Sequence, residues 1–184
     1  MKDDRELLQR AQADPANAAA VYDAYADALF GFLMKRCGHR QTAEDLLSQT
    51  FLKFLEALPR LEWQGFPLSA WLYRTASNAL IDHWRKSGRE LPADEGLEEG
   101  IRAPQDTSHE AELALERDKL LPLIGSLSAR DQQVLDLRFF AGFEPQEIAD
   151  ALGTSANHAS VMGYRALGRL RQAYHKTYGT TSSQ

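Results

Sequence analysis

Twenty residues near the middle decide how this chain can fold. Residues 91–110 hold two prolines (Pro92, Pro104), two glycines (Gly96, Gly100), a cluster of acids and few large apolar side chains. Such a stretch buries too little surface to offset the entropy of ordering it, so it reads as a flexible acidic linker. It separates a front domain, residues 1–90, from a back domain, residues 111–178, with a loose tail at 179–184. Two small domains rather than one large core are expected.

Both flanks carry a helical period. In the front, Val21, Tyr25, Leu29, Phe32 and Leu33 recur three or four apart. A second helix is predicted from Thr42 to Leu58, with Leu46, Leu47, Phe51, Phe54, Leu55 and Leu58 on its apolar face and Pro59 as its stop. A third spans Ser69 to Lys86, with Trp71, Leu72, Ala76, Leu80, Ile81 and Trp84 apolar. No stretch alternates with period two for long enough to form strands. The fold class is all-α.

In the back domain, Ser128-Ala129-Arg130-Asp131 has capping-box spacing and opens a helix expected to reach Gly142. Pro145 to Leu152 makes a two-turn helix, Gly153 supplies a left-handed stop, and Ser155 caps a long helix to about Tyr174. A short helix, a tight glycine turn and a longer helix form a helix-turn-helix. A bare helical hairpin is the simpler reading. The polar outer face of the long helix and the basic tail behind it favour DNA.

Charge supports that once it is divided along the chain. The net charge is −5, yet residues 1–90 balance at 12 Lys/Arg against 12 Asp/Glu, and residues 119–184 carry 7 against 5. The acidity sits in residues 91–118, with 2 against 9. The single cysteine, Cys37, cannot form an intramolecular disulfide, and the apolar run Ala28–Met34 is far too short to span a bilayer. A soluble protein of the reducing cytoplasm, without membrane insertion, is expected.

Two segments then match something specific. Ala43-Glu44-Asp45-Leu46-Leu47-Ser48-Gln49-Thr50-Phe51-Leu52-Lys53, and Ala70-Trp71-Leu72-Tyr73-Arg74 through Asn78 to Asp82-His83-Trp84-Arg85-Lys86, resemble the core signatures of extracytoplasmic-function sigma factors of the sigma-70 family. Leu127-Ser128 through Leu137-Arg138-Phe139, Glu147-Ile148-Ala149 through Leu152-Gly153, and Arg165-Ala166-Leu167 with Leu170-Arg171 continue the match. The resemblance implies a dissociable, non-enzymatic promoter-specificity subunit whose partners are bacterial core RNA polymerase and promoter DNA. It also allows an anti-sigma factor.

The resemblance places Asp45, Leu46, Gln49, Thr50 and Lys53 on the surface that docks on polymerase. It puts Gln64, Gly65 and Phe66 in a loop that captures a flipped −10 base, lined further by Arg74 and Asn78, with Arg85 and Lys86 along the phosphates. Aromatic and basic residues interleaved over Trp63–Lys86 suit that work independently, since unpaired bases stack on aromatics while cations follow the backbone. On the long back helix, Ala159, Gly163, Ala166 and Leu170 should face the core. The remaining face offers Asn157, His158, Ser160, Val161, Tyr164 and Arg165 to DNA. The resemblance assigns these to the −35 duplex together with Arg169 and with Arg138, a match to the family's phosphate- or base-contacting arginine. Ser160 stands where relatives usually carry Lys or Arg. The acidic linker reads equally as a solubilising tether and as a nucleic-acid mimic inside the polymerase.

Enzymatic readings find little. The five histidines are scattered with no HExxH or Cys/His pairing, no Gly-rich phosphate loop is present, and no cofactor is implied. The rivals that remain open are a helix-turn-helix regulator acting without polymerase and a protein that merely sequesters a partner.

Overall fold

The computed structural model describes residues 4–63, 65–86 and 107–179, apart from the side chains of 107–114. Among these the chain is helical throughout, with helices α1 (Asp4–Ala13), α2 (Ala18–Cys37), α3 (Arg40–Ala57), α4 (Leu68–Lys86), α5 (Thr107–Ser126), α6 (Ala129–Leu135), α7 (Pro145–Leu152) and α8 (Ala156–Tyr178). Helix α2 extends beyond the periodic residues Val21 to Leu33 at both ends, and α1 was not predicted. Helix α3 starts two residues before its predicted Thr42 and ends one before Leu58, and α4 starts one residue before Ser69. The helix opened by Ser128 is shorter than expected: α6 stops at Leu135 and continues as a wide turn, Asp136–Phe140. There the Ala141 N–H reaches back to the Asp136 carbonyl. Helix α5 begins at Thr107, so the last four residues of the predicted linker segment are helical.

The front bundle packs α2 against α3 and α3 against α4. Val21, Leu29, Phe32 and Leu33 of α2 meet Leu46 and Phe54 of α3 and Leu72, Ala76 and Leu80 of α4, all essentially inaccessible to water. Each large apolar side chain buried there contributes roughly 1.5–3 kcal/mol. Phe32 and Tyr73 meet edge to face at 5.4 Å, and burial raises the Tyr73 phenol above its ordinary range. Cys37 lies buried at the end of α2, its thiol donating to the His39 carbonyl, and burial raises its pKa.

In the back, α8 packs on α6 and α7. Ser128 accepts from the Asp131 N–H at 3.2 Å, but the Asp131 carboxylate takes the Ser128 hydroxyl rather than a backbone group. The return arm of a capping box forms instead at α7, where Glu147 accepts from the Glu144 N–H at 2.8 Å. Gly153 turns α7 into α8 with φ of 64°, a left-handed conformation that side-chain-bearing residues rarely adopt.

The two bundles share one continuous core, which runs from Leu8 to Ala159. Helix α4 lies between them, with α2 and α3 on one side and α6 and α7 on the other. At the centre of the junction the Arg36 guanidinium donates to the Asp136 carboxylate at 2.6 Å, and both side chains are buried. The Ser77 hydroxyl donates to the second Asp136 oxygen at 2.8 Å, and Arg36 also reaches Gln132 at 3.4 Å. Burial pushes the Asp136 carboxyl up, while Arg36 and Ser77 pull it back down. Tyr73 stacks at 5.1 Å on Phe143 across the same seam.

Candidate nucleic-acid interface

Helix α3 presents one face to the core and one to solvent. Asp45, Gln49, Lys53 and Glu56 are exposed, as expected. Leu46 and Thr50 are not: both turn inward, 1% and 0% exposed, with the Thr50 hydroxyl bonded to the Leu46 carbonyl. They hold the helix rather than present a surface. The outward face carries apolar contacts that periodicity had not assigned there. Leu52 is exposed, and Leu55, expected on the buried face, is 45% exposed. Tyr22 of α2, stacked at 4.7 Å on Phe51, is exposed beside them. Polar residues around a few accessible apolar ones suit a reversible protein interface.

The connection from α3 to α4 forms a cleft of about 270 Å³, lined by Trp63, Phe66, Trp71 and Arg74. Phe66 is exposed at its rim, and Gly65 adopts φ of 83°. Gln64 lies outside the described residues. Trp71 packs edge to face on Phe54, so it braces the cleft from the core side. At the end of α4, Arg85 and Lys86 are exposed, with Arg85 within 3.2 Å of Asp82.

On α8 the expected faces separate cleanly. Ala159 and Ala166 are buried, and Gly163 and Leu170 half-buried. Asn157, His158, Ser160, Val161, Tyr164 and Arg165 are all exposed, Tyr164 at 82%. Ser155 caps this helix by accepting from the His158 N–H, and His158 Nδ1 lies 2.9 Å from the Thr154 hydroxyl. Two of the expected −35 contacts are otherwise engaged. Arg169 donates to Asp131 at 2.6 Å and fastens α8 to α6. Arg138 donates to the Phe143 carbonyl and pairs with Glu144 at 3.0 Å.

Residues 21–90 match the family model for sigma-70 region 2, and residues 123–172 match that for sigma-70 region 4. The chain belongs to the sigma-70 family. Within it, the chain is a member of the extracytoplasmic-function branch. It is 34% identical over 170 residues to the ECF RNA polymerase sigma factor BldN of Streptomyces coelicolor, covering 90% of this chain and 63% of BldN. Over 161 residues it is 27% identical to the ECF RNA polymerase sigma factor SigL of Mycobacterium tuberculosis, covering 88% of this chain and 90% of SigL. The chain thus spans less than two thirds of BldN but nearly all of SigL. A solved structure of CnrH in complex with the cytosolic domain of CnrY shares the fold, with a TM-score of 0.61 at 21% identity over 92% of this chain and 95% of that one.

In sigma terms, region 4 is seated on the α4 face of region 2 that carries the expected −10 contacts. Asn78 accepts from Gln133 of α6, and Arg74 donates to the Ala151 carbonyl of α7 at 3.1 Å. Asp150 and Ala151 line the cleft beside Phe66. None of these three region 4 residues was visible as a site from sequence, because no local pattern reports which helix lies across another. Among the described residues, no group of three His, Cys, Asp or Glu could hold a metal ion, and no helix is long and apolar enough to cross a membrane.

Proposed function

We propose that the chain is a promoter-specificity subunit that binds bacterial core RNA polymerase and directs initiation at −35 and −10 elements. The observation that carries this reading is the pairing of region 2 and region 4 in one chain with a solvent-facing recognition helix. The outer face of α3 docks on polymerase through Asp45, Gln49 and Lys53, supported by Leu52 and Leu55. Helix α8 enters the major groove of the −35 duplex with Asn157, Val161, Tyr164 and Arg165, a bidentate arginine being the commonest reader of guanine. The Trp63–Phe66 cleft holds a base extruded from the −10 strand, with Asn78 and Arg74 beside it. Arg85 and Lys86 follow the phosphates.

No nucleotide is hydrolysed in this scheme, so the few kcal/mol of unstacking come from binding alone. The work is done with polymerase in the cytoplasm and involves no catalysis by this chain. The arrangement of the free chain adds a step. Gln133 and the Ala151 carbonyl occupy Asn78 and Arg74, and Asp150 lines the cleft, so region 4 must leave α4 before DNA reaches it. A partner protein that favours the closed form would hold the factor inactive.

Run-off transcription with purified core polymerase over a random-promoter library tests the reading. Transcripts that share paired −35 and −10 elements are expected only when the chain is present. Specific binding of a dimer to palindromic duplex without polymerase would establish an independent helix-turn-helix regulator instead.

A further inference from the structure

Helix α1 precedes the residues matched to region 2, yet it grips both ends of the loop that carries Gly65 and Phe66. Where the chain leaves α3, the Gln12 side-chain amide donates to two carbonyls, Leu58 at 2.9 Å and Leu61 at 2.8 Å. Where the chain enters α4, the Asp4 carboxylate accepts from the Leu68 N–H at 2.9 Å. Its other oxygen accepts from the Tyr25 hydroxyl at 2.6 Å, which fixes the carboxylate against α2. An acid at that point also suits the positive end of α4. Between these two residues, Leu8 is buried and lines the same cleft as Trp63 and Phe66. Positions 4, 8 and 12 fall four apart, on one face of α1.

Short surface loops are mobile unless tied down, and a cleft that selects a base needs its walls fixed to well under an ångström. Here the ties come from side chains more than forty residues away in sequence. We propose that α1 positions the −10 loop through Gln12 and Asp4, and so sets how sharply the cleft discriminates between bases. Gln12 and Asp4 touch no DNA in this scheme. They act through the loop backbone, and the proposal rests on reading that loop as the −10 reader.

The test uses the full chain with core polymerase and a randomised single-stranded DNA dodecamer, with the base preference of the bound pool read by sequencing. Phe66→Ala is the control for the loop itself and should lower preference at its strongest position about tenfold. Gln12→Glu keeps the size of the side chain but cannot donate to a carbonyl. It should lower preference at the same position by about threefold or more. Gln12→Lys restores a donor and should keep the native preference. Helicity and polymerase pull-down should match the native chain in both Gln12 variants, since Gln12 is exposed. If Phe66→Ala flattens the preference and Gln12→Glu leaves it intact, positioning by α1 is overturned while the loop reading stands. If Gln12→Glu weakens binding to every sequence equally, its role is structural only and the proposal is again overturned. If Phe66→Ala changes nothing, the loop reading falls and this inference falls with it.

Discussion

Replacing Asp136 with alanine should open the junction between regions 2 and 4. In the closed chain the Arg36 guanidinium is buried, and the Asp136 carboxylate 2.6 Å away is its principal partner. Truncating one member of such a pair strands the other charge away from water, which costs about 3–5 kcal/mol. At 1.36 kcal/mol per tenfold, the closed-to-open ratio falls by roughly two to nearly four orders of magnitude. The protein supplies its own reporter. Cys37 is its single cysteine, and it lines a cavity of about 380 Å³ between the regions together with Trp84, Leu121, Pro122 and Gln132. Burial raises its pKa, so the native thiol should alkylate slowly with iodoacetamide and need more alkaline solution than a free thiol. Asp136→Ala should accelerate alkylation by about a hundredfold, or up to the rate of a fully open thiol if closure is worth less than that. Far-ultraviolet circular dichroism should show region 2 still helical. The double variant Arg36→Met with Asp136→Leu should alkylate slowly again, because an apolar pair of similar volume closes without a stranded charge. A rate for Asp136→Ala within twofold of the native chain would refute the reasoning, as would fast alkylation of the double variant.

Asp45→Ala with Gln49→Ala should change stability by less than about 0.5 kcal/mol, because both residues are exposed, while pull-down of core polymerase falls clearly. Unchanged capture would remove α3 from the docking surface. Ser160→Lys on the exposed face of α8 should strengthen −35 binding and steepen the salt dependence by about one counterion. An unaltered salt slope would place that face away from phosphate. The isolated chain should bind duplex DNA only weakly and without sequence preference, since one small helix-turn-helix offers less contact than specific binding requires. Gel-shift titration against palindromic and non-palindromic duplexes checks this.

Helices α3, α4, α7 and α8 were legible because each has an apolar stripe or sharp punctuation. The stripe of α3 told its two faces apart except at Leu55, and Gly153 with Ser155 marked the turn into α8. Leu46 and Thr50 show where the family signature and the helical period disagree. The signature offered them to polymerase, whereas the apolar face that already held Leu46 put them in the core. Helix α1 was missed because its short, charged stretch has only Leu7, Leu8 and Ala11 to suggest a face. Helix α5 was hidden by its acids and by Pro122 inside it. The junction between regions was invisible for a different reason. Arg36 and Asp136 stand a hundred positions apart, and a lone charge on a helix reads as a solvated residue until its partner is known. The tie from Arg169 to Asp131, which fastens α8 to α6, was hidden in the same way, with the two residues 38 positions apart.

Initiation by the holoenzyme on templates already open around −10, set against ordinary duplex promoters, tests most directly whether the two regions read different forms of DNA. Arg165→Ala should lose about 1–3 kcal/mol of base discrimination at the double-stranded −35 element, and pre-melting should not restore it. Phe66→Ala and Asn78→Ala should impair strand opening by a similar ~1–3 kcal/mol per base. Pre-melting should return part of that activity, because the bases no longer have to be unpaired, and permanganate reactivity of thymines near −10 should follow the recovery. Rescue of Arg165→Ala by the open template, with Phe66→Ala and Asn78→Ala left unaided, would contradict the assignment of region 2 to the opened strand and region 4 to the duplex.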